Sequence, residues 1–145
     1  MGEGRGGWFL SPDRRSLWQV GVTTILLVAA TLRFTALPAF PSGIAHDEVA
    51  EVLIAEGILA GHHAIFFQEA YGQEPLFLYL VAVMVALVGR STLALRFVTA
   101  SIGLLTVAAG ARWSRRLFGL RVGLMTASGI AVVLWPVFWS RVGLR

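Results

Sequence analysis

The sequence of 145 residues contains no cysteine and no lysine, and only 14% of its residues are charged. The absence of cysteine excludes disulfide bonds, thiolate metal sites and a cysteine nucleophile from this chain. Soluble domains carry about 25% charged residues, whereas 57% of the residues here are hydrophobic. This composition argues against a soluble single-core domain, and also against disorder, which requires low hydrophobicity.

The net charge of +4 comes from twelve arginines against eight acidic residues. A sequence pI near 11 would indicate nucleic-acid binding in a soluble protein. In an apolar chain, arginines more often mark the cytoplasmic ends of membrane helices. We therefore predict a membrane protein that contacts membrane lipid and has no nucleic-acid partner.

Three long apolar runs cover residues 17–37, 93–111 and 122–139. A helix needs about 20 apolar residues to cross a bilayer, so each run is predicted to be a transmembrane helix. A signal peptide is the alternative for the first run, but its apolar region would normally be about 7–15 residues long. A fourth run, residues 75–89, is shorter and either spans the membrane or lies at its interface.

The arginine distribution separates these topologies. With Arg141 and Arg145 left out, three crossings place seven arginines on one side of the membrane and two on the other, whereas four crossings divide them five against four. Counting Arg141 and Arg145 gives seven against four with either topology. The seven are Arg5, Arg14, Arg15, Arg112, Arg115, Arg116 and Arg121, and the two are Arg90 and Arg96. The positive-inside rule therefore favours three crossings with a cytoplasmic amino terminus.

The predicted fold is an all-α integral membrane protein of the cell membrane. It has about three transmembrane helices plus extracytoplasmic juxtamembrane helices. In order, the predicted segments are a cytoplasmic tail (1–16), a transmembrane helix (17–37), an extracytoplasmic loop with juxtamembrane helices (38–92), a transmembrane helix (93–111), a cytoplasmic loop (112–121), a transmembrane helix (122–139) and an end that looks cut (140–145).

Residues 38–74 form the polar part of the chain and hold six of the eight acids, all three histidines and no arginine. In a helix that starts at Asp47, Glu51 and Glu48 lie about 40° and 100° away from it, at roughly 100° per residue. Carboxylates in a first turn are favoured by the helix dipole, so a cap with a solvated face is one interpretation. Next to a membrane, clustered carboxylates instead have raised pKa values or hold a cation, which favours a functional site.

Two arginines near predicted membrane ends, Arg33 and Arg96, have two interpretations. Each could snorkel to the interface or form a local ion pair. Alternatively, each could contact an anionic head group or a phosphate, which the guanidinium fork matches well.

Several short motifs follow one another in a recognisable order. They are Gly43-Ile44-Ala45-His46-Asp47-Glu48, then Gly72-Gln73-Glu74-Pro75-Leu76-Phe77, then Leu95-Arg96, and finally Arg116-Leu117-Phe118-Gly119. Over residues 17–145 this order resembles the amino-terminal part of a GT-C membrane glycosyltransferase. The most similar branch is the protein O-mannosyltransferase and aminoarabinose transferase group, called glycosyltransferase family 39.

The resemblance implies a multi-span enzyme whose site faces away from the cytoplasm. Its donor would be a polyprenyl-phosphate-linked sugar, and its acceptor a hydroxyl of a protein, lipid or glycan. Asp47 takes the place of the family's essential acidic residue, and it would act as the general base of an inverting transfer. Glu48 would orient the acceptor or help to hold a cation.

The remaining predicted site residues are His46, Glu51 and Glu74, which we expect to contact substrate. No set of metal-ligating residues is predicted, and a divalent cation is the one cofactor that the carboxylates leave open. The alternative function is a small non-enzymatic membrane protein or transporter subunit. In that case the acidic residues would form a proton or cation path.

Overall fold

The computed structural model describes residues 13–40, 42–43, 46–69 and 72–142. Helices account for most of this part of the chain: α1 (Arg14–Phe34), α2 (His46–Leu59), α3 (Pro75–Val88), α4 (Thr92–Phe118), α5 (Leu120–Val132) and α6 (Leu134–Trp139). The described residues contain no β-strand. The backbone pairing of Phe67 with Gln73 is an isolated antiparallel bridge. The prediction of an all-α fold is confirmed.

Two of the helices are long and apolar enough to cross a membrane, judged by length and composition. These are α1, with 21 residues, and α4, with 27 residues. At 1.5 Å per residue they measure about 32 Å and 40 Å, against a hydrocarbon core of about 30 Å. Helices α3 and α5 have 14 and 13 residues and are shorter than that thickness.

Helix α1 starts and ends earlier than the apolar run 17–37. It begins at Arg14 and ends at Phe34, four residues before Pro38. A proline disfavours helical geometry in the residue before it, and Ala36 turns the chain with a φ of 52°. The helix therefore stops before the apolar sequence does.

The third apolar run, residues 122–139, is divided between two helices. Helix α5 ends at Val132, and Val133 has an extended conformation before α6 begins. Pro136 lacks the N–H that would bond to the carbonyl of Val132, and its ring clashes there with a continuous helix. The break leaves carbonyl groups near the end of α5 in need of other donors.

Helices α1, α4 and α5 pack around a core of small and β-branched residues: Ala29, Val107, Ala111, Ala127 and Ala131. A second core joins α2 and α3 to the first turns of α4. The predicted apolar runs include every residue of the first core. The part of the second core that α2 supplies, such as Val52 and Ile58, lies in the polar segment 38–74 and was not indicated by those runs.

Helix α1 runs antiparallel to α4. The Phe34 and Phe97 rings lie 5.2 Å apart at one end, and the Arg115 guanidinium lies 4.4 Å from the Trp18 ring at the other. We call the first the loop end, because α2 packs there, and the second the arginine end.

Helix α6 returns closely to α4 at Gly103. A Cβ atom at this position would lie 2.5 Å from Cβ of Ser140 and 3.1 Å from Nε of Arg33. We expect Gly103→Ala to destabilise the protein by about 1–3 kcal/mol through overpacking. Gly129 is the matched control, since a Cβ there meets nothing within 4 Å.

Alanine is about 1 kcal/mol more favourable than glycine inside a helix, so Gly129→Ala should raise the melting temperature or leave it unchanged. Thermal unfolding of both variants in neutral detergent measures the difference. Equal melting temperatures for the two variants would contradict the close packing at Gly103.

Candidate functional site

Helix α2 turns its carboxylates toward the protein interior. Glu48 is 0% exposed and Glu51 is 2% exposed, whereas Val49 and Leu53 are 46% and 50% exposed. This is the reverse of an amphipathic helix that faces water. The interpretation of the acidic arc as a solvated face is therefore wrong for Glu48 and Glu51.

Glu48 forms a buried ion pair with Arg96 of α4. The Nε atom of Arg96 donates to Oε1 of Glu48 at 2.9 Å, and Nη2 donates to Oε2 at 3.1 Å. Such a two-point bond between a guanidinium and a carboxylate is strong and fixes the orientation of both groups. The interpretation of Arg96 as a partner in a local ion pair is confirmed.

The same guanidinium holds the segment between α1 and α2. Nη1 of Arg96 donates to the carbonyl of Leu37 at 3.4 Å, and Nη2 donates to that of Gly43 at 2.7 Å. Arg96 thus fixes both the first turn of α2 and the backbone that leads into it.

Asp47 points away from this buried pair. Its side chain is 59% exposed, and the neighbouring His46 side chain is 99% exposed. Nδ1 of His46 and Oδ1 of Asp47 are 3.9 Å apart, which is too long for a hydrogen bond. Adjacent helical residues point about 100° apart, so Asp47 and Glu48 diverge. Asp47 lies in the first turn of α2 and is exposed there, although Glu51, about 40° away around the helix and one turn later, is buried.

The other two acids predicted to bind substrate have different surroundings. Glu51 follows one turn after Asp47 and faces the interior, so it does not present a surface to substrate. Glu74 is exposed at the N-cap of α3, where its side chain makes no capping hydrogen bond. The structure therefore groups Asp47, Glu48 and Glu51 on one helix and leaves Glu74 on another element.

Arg33 is fully buried and does not snorkel. It donates to the carbonyls of Ile130 at 2.9 Å, Ala131 at 3.1 Å and Ala29 at 3.3 Å. Two of these carbonyls belong to the last turn of α5, before its break. Arg33 therefore supplies hydrogen-bond donors to the end of another helix. This differs from the predicted snorkelling, ion pair or phosphate contact.

Arg141 supplies hydrogen-bond donors to the end of α1 and the segment after it, as Arg33 does to the end of α5. It donates to the carbonyls of Leu32 at 2.6 Å, Thr35 at 2.8 Å and Phe40 at 2.9 Å. Burial lowers the pKa of Arg141, and the positive charge of Arg96 lowers it further. The loop end therefore holds three buried arginines from three separate parts of the chain.

An open groove of about 750 Å³ lies between α2 and the segment that follows it. Its lining includes Ala50, Ile54, His62, His63, Phe66 and Glu69. Ala50 and Ile54 come three and seven residues after Asp47, which places all three on one side of the helix. The groove therefore starts about one helical turn from the Asp47 carboxylate.

A second groove, of about 300 Å³, lies between α3, α4, α5 and α6. Arg33 forms part of its wall, together with apolar residues such as Ile102, Ile130 and Trp139. Its apolar lining suits a hydrocarbon chain.

In the described part of the chain, no group of three or more histidine, aspartate or glutamate side chains is arranged to hold a metal ion. Asp47 and Glu48 diverge, and the Glu48 carboxylate is bound by Arg96. Glu48 is therefore not placed to hold a cation as predicted, because its oxygens already accept from a guanidinium.

Comparison of the chain with protein-family models, curated proteins and solved structures finds no match.

Proposed function

We propose that the chain forms the amino-terminal part of a multi-pass GT-C-like membrane glycosyltransferase. The enzyme moves a sugar from a polyprenyl-phosphate donor to a hydroxyl of a protein, lipid or glycan. One observation carries this proposal. Asp47 of α2 is exposed at the loop end of the long apolar helices α1 and α4, and the Glu48–Arg96 pair fixes α2 there.

In the proposed reaction, the acceptor oxygen attacks the anomeric carbon of the donor. A new glycosidic bond forms as the bond from that carbon to the phosphate oxygen breaks, and polyprenyl phosphate leaves with the electron pair. The acceptor proton passes to Asp47, which is the general base. Attack opposite the leaving group inverts the anomeric centre.

The contacts of Glu48 assign it a different task from direct action on the acceptor. Because both of its oxygens accept from Arg96, Glu48 acts as a positioning residue for Asp47. The groove that starts near Asp47 receives the acceptor, and the apolar groove beside Arg33 receives part of the donor chain. The charges of Arg33 and Arg141 offset the negative charge of the donor phosphate at this end, whereas the charge of Arg96 is balanced by Glu48.

The proposed topology places the amino terminus and the arginine end in the cytoplasm, and the loop end outside. Helices α1 and α4 cross the membrane, α5 and α6 together make the third crossing, and α3 lies at the interface. The supporting observation is the charge of residues 112–121, which hold four arginines and no acid, as expected of the cytoplasmic ends of membrane helices. The predicted loop over these residues is instead the last turns of α4 and the start of α5, joined by Gly119.

Because the chain has no cysteine, single cysteines report this topology directly. Ser114→Cys places a thiol at the arginine end, at a polar and partly exposed position. We expect an impermeant thiol reagent to label it only after cell lysis. Gln68→Cys, an exposed position in the loop, should be labelled in intact cells, and the reverse pattern would contradict the topology.

The non-enzymatic alternative rests on the two buried carboxylates, Glu48 and Glu51, since intramembrane acids often mark proton or cation paths. The Glu48 charge is already neutralised by Arg96. Because both Glu48 oxygens accept from Arg96, this carboxylate is poorly placed to bind a passing cation, which favours the transferase.

The test is a transfer assay in membranes that contain the unaltered protein, with radiolabelled polyprenyl-phosphate sugars as donors. Label in protein, lipid or glycan that exceeds the amount in membranes without the protein supports the proposal and identifies the acceptor. Label that stays in the donor with every sugar tested, while the protein is present and folded, would overturn it.

A further inference from the structure

The arginine end carries a dense positive charge. Six of the twelve arginines of the chain lie there, in the first turn of α1, the last turns of α4 and the start of α5. They are Arg14, Arg15, Arg112, Arg115, Arg116 and Arg121. Asp13 is the acidic residue next to them.

Arg115 brings the three helices together at this end. Its guanidinium lies over the Trp18 ring of α1. On α5, a Cβ atom at Gly123 would lie 2.8 Å from Cβ of Arg115, so the two helices are in close contact. Gly119, with a φ of 89°, links α4 to α5 in a single residue and keeps Arg121 near Arg115.

The residues that the structure describes do little to neutralise this charge. None of the ion pairs found among the described residues involves the six arginines. Helices α1 and α5 have no acidic residue in their first turns, although a helix N-terminus already carries partial positive charge. Six guanidinium groups in this arrangement repel one another unless an external anion is present.

Large apolar side chains are exposed among the same arginines. Trp113 is 69% exposed, Leu117 73% and Phe118 69%. Tryptophan concentrates at the boundary between lipid and water, and arginine presents a fork that matches two phosphate oxygens. The surface therefore combines recognition of phosphate with contact to hydrocarbon, which is the chemistry of a phospholipid and its head group.

We propose that the arginine end is a binding site for anionic phospholipid. The phosphodiester of the lipid accepts hydrogen bonds from the exposed arginines Arg112, Arg116 and Arg121, and its acyl chains lie against Trp113 and its apolar neighbours. Basic clusters between membrane helices bind anionic head groups in this manner. The proposal does not depend on the transferase function.

Native mass spectrometry of the purified chain in neutral detergent tests the proposal. Phosphatidylglycerol and phosphatidylcholine with identical acyl chains serve as probes. We expect phosphatidylglycerol to bind preferentially, and the triple variant Arg112→Gln, Arg116→Gln, Arg121→Gln to lose this preference. Each arginine near an anionic lipid surface is worth about fivefold in binding, so the triple variant should bind roughly 100-fold more weakly.

Two control variants separate charge from damage to the fold. The corresponding triple lysine variant keeps the charge and should keep a preference for phosphatidylglycerol. Arg90→Gln removes an exposed arginine near the start of α4 and should bind the lipid as the unaltered chain does. Equal binding of both lipids by the unaltered chain, or an undiminished preference in the folded glutamine variant, would overturn the proposal.

Salt provides a test that needs no variant, in case the glutamine variant does not fold. Raising the salt concentration to about 0.5 M shortens the electrostatic screening length to a few ångströms. It should release most of the phosphatidylglycerol from the unaltered chain and leave phosphatidylcholine binding unchanged. Phosphatidylglycerol binding that is independent of salt would overturn the proposal.

Discussion

Asp47→Asn is expected to reduce sugar transfer by about 10²–10⁴-fold, the usual contribution of a general base. Asparagine keeps the size of aspartate and its ability to cap a helix, so the fold and membrane insertion should persist. The amide nevertheless takes up no proton at working pH, and the acceptor hydroxyl loses its base. The measurement is the rate of transfer from labelled polyprenyl-phosphate sugar at equal amounts of inserted protein.

Two further variants define what a loss of transfer means. Asp13→Asn makes the same chemical change at the arginine end and should leave the transfer rate unaltered. Glu48→Gln should cost less than Asp47→Asn, because the amide oxygen of glutamine still accepts from Arg96. Near-normal transfer by Asp47→Asn would remove Asp47 as the base.

Arg96→Met is expected to destabilise the protein by about 3–5 kcal/mol, because it leaves the carboxylate of Glu48 buried without its guanidinium partner. For a chain of this size, the melting temperature in detergent should fall by roughly 10 °C. The carbonyls of Leu37 and Gly43 also lose donors, which adds to the loss.

Arg90→Met is the matched control for burial. Its Nε lies 2.9 Å from Oε1 of Glu56, the same distance as in the buried pair, but the Arg90 side chain is 66% exposed whereas that of Arg96 is 3% exposed. An exposed pair contributes about 0–1 kcal/mol, so the melting temperature should hardly change. Equal shifts for Arg90→Met and Arg96→Met would contradict the assignment of Arg96 as the residue that fixes α2.

A double variant separates the ion pair from the other contacts of Arg96. With Glu48→Met added to Arg96→Met, no unpaired charge remains, and much of the lost stability should return. If the double variant recovers stability but transfer stays slow, the ion pair positions Asp47. Recovery of both would show that Asp47 finds its place without the pair.

Local chemistry in the sequence was enough to predict an all-helical fold with long apolar helices. Apolar composition depends on each residue alone, so the long helices follow from nearby residues. Residues 122–139 were predicted as one helix, and the interruption near Pro136 was missed, although proline acts on its immediate neighbours. The divergence of Asp47 and Glu48 is likewise a property of helical geometry. The arginine end is visible in the sequence as a local concentration of charge.

Only the tertiary structure decided which carboxylate is buried and what each arginine binds. Glu48 is 48 residues from Arg96, and the α5 carbonyls that Arg33 reaches are up to 98 residues away. Such partners meet through helix packing, which no local pattern encodes. Burial also follows from this packing, because a neighbouring guanidinium allows a carboxylate to leave water. Hence the inward face of α2 is its acidic face, which hydrophobic periodicity alone would have placed outward.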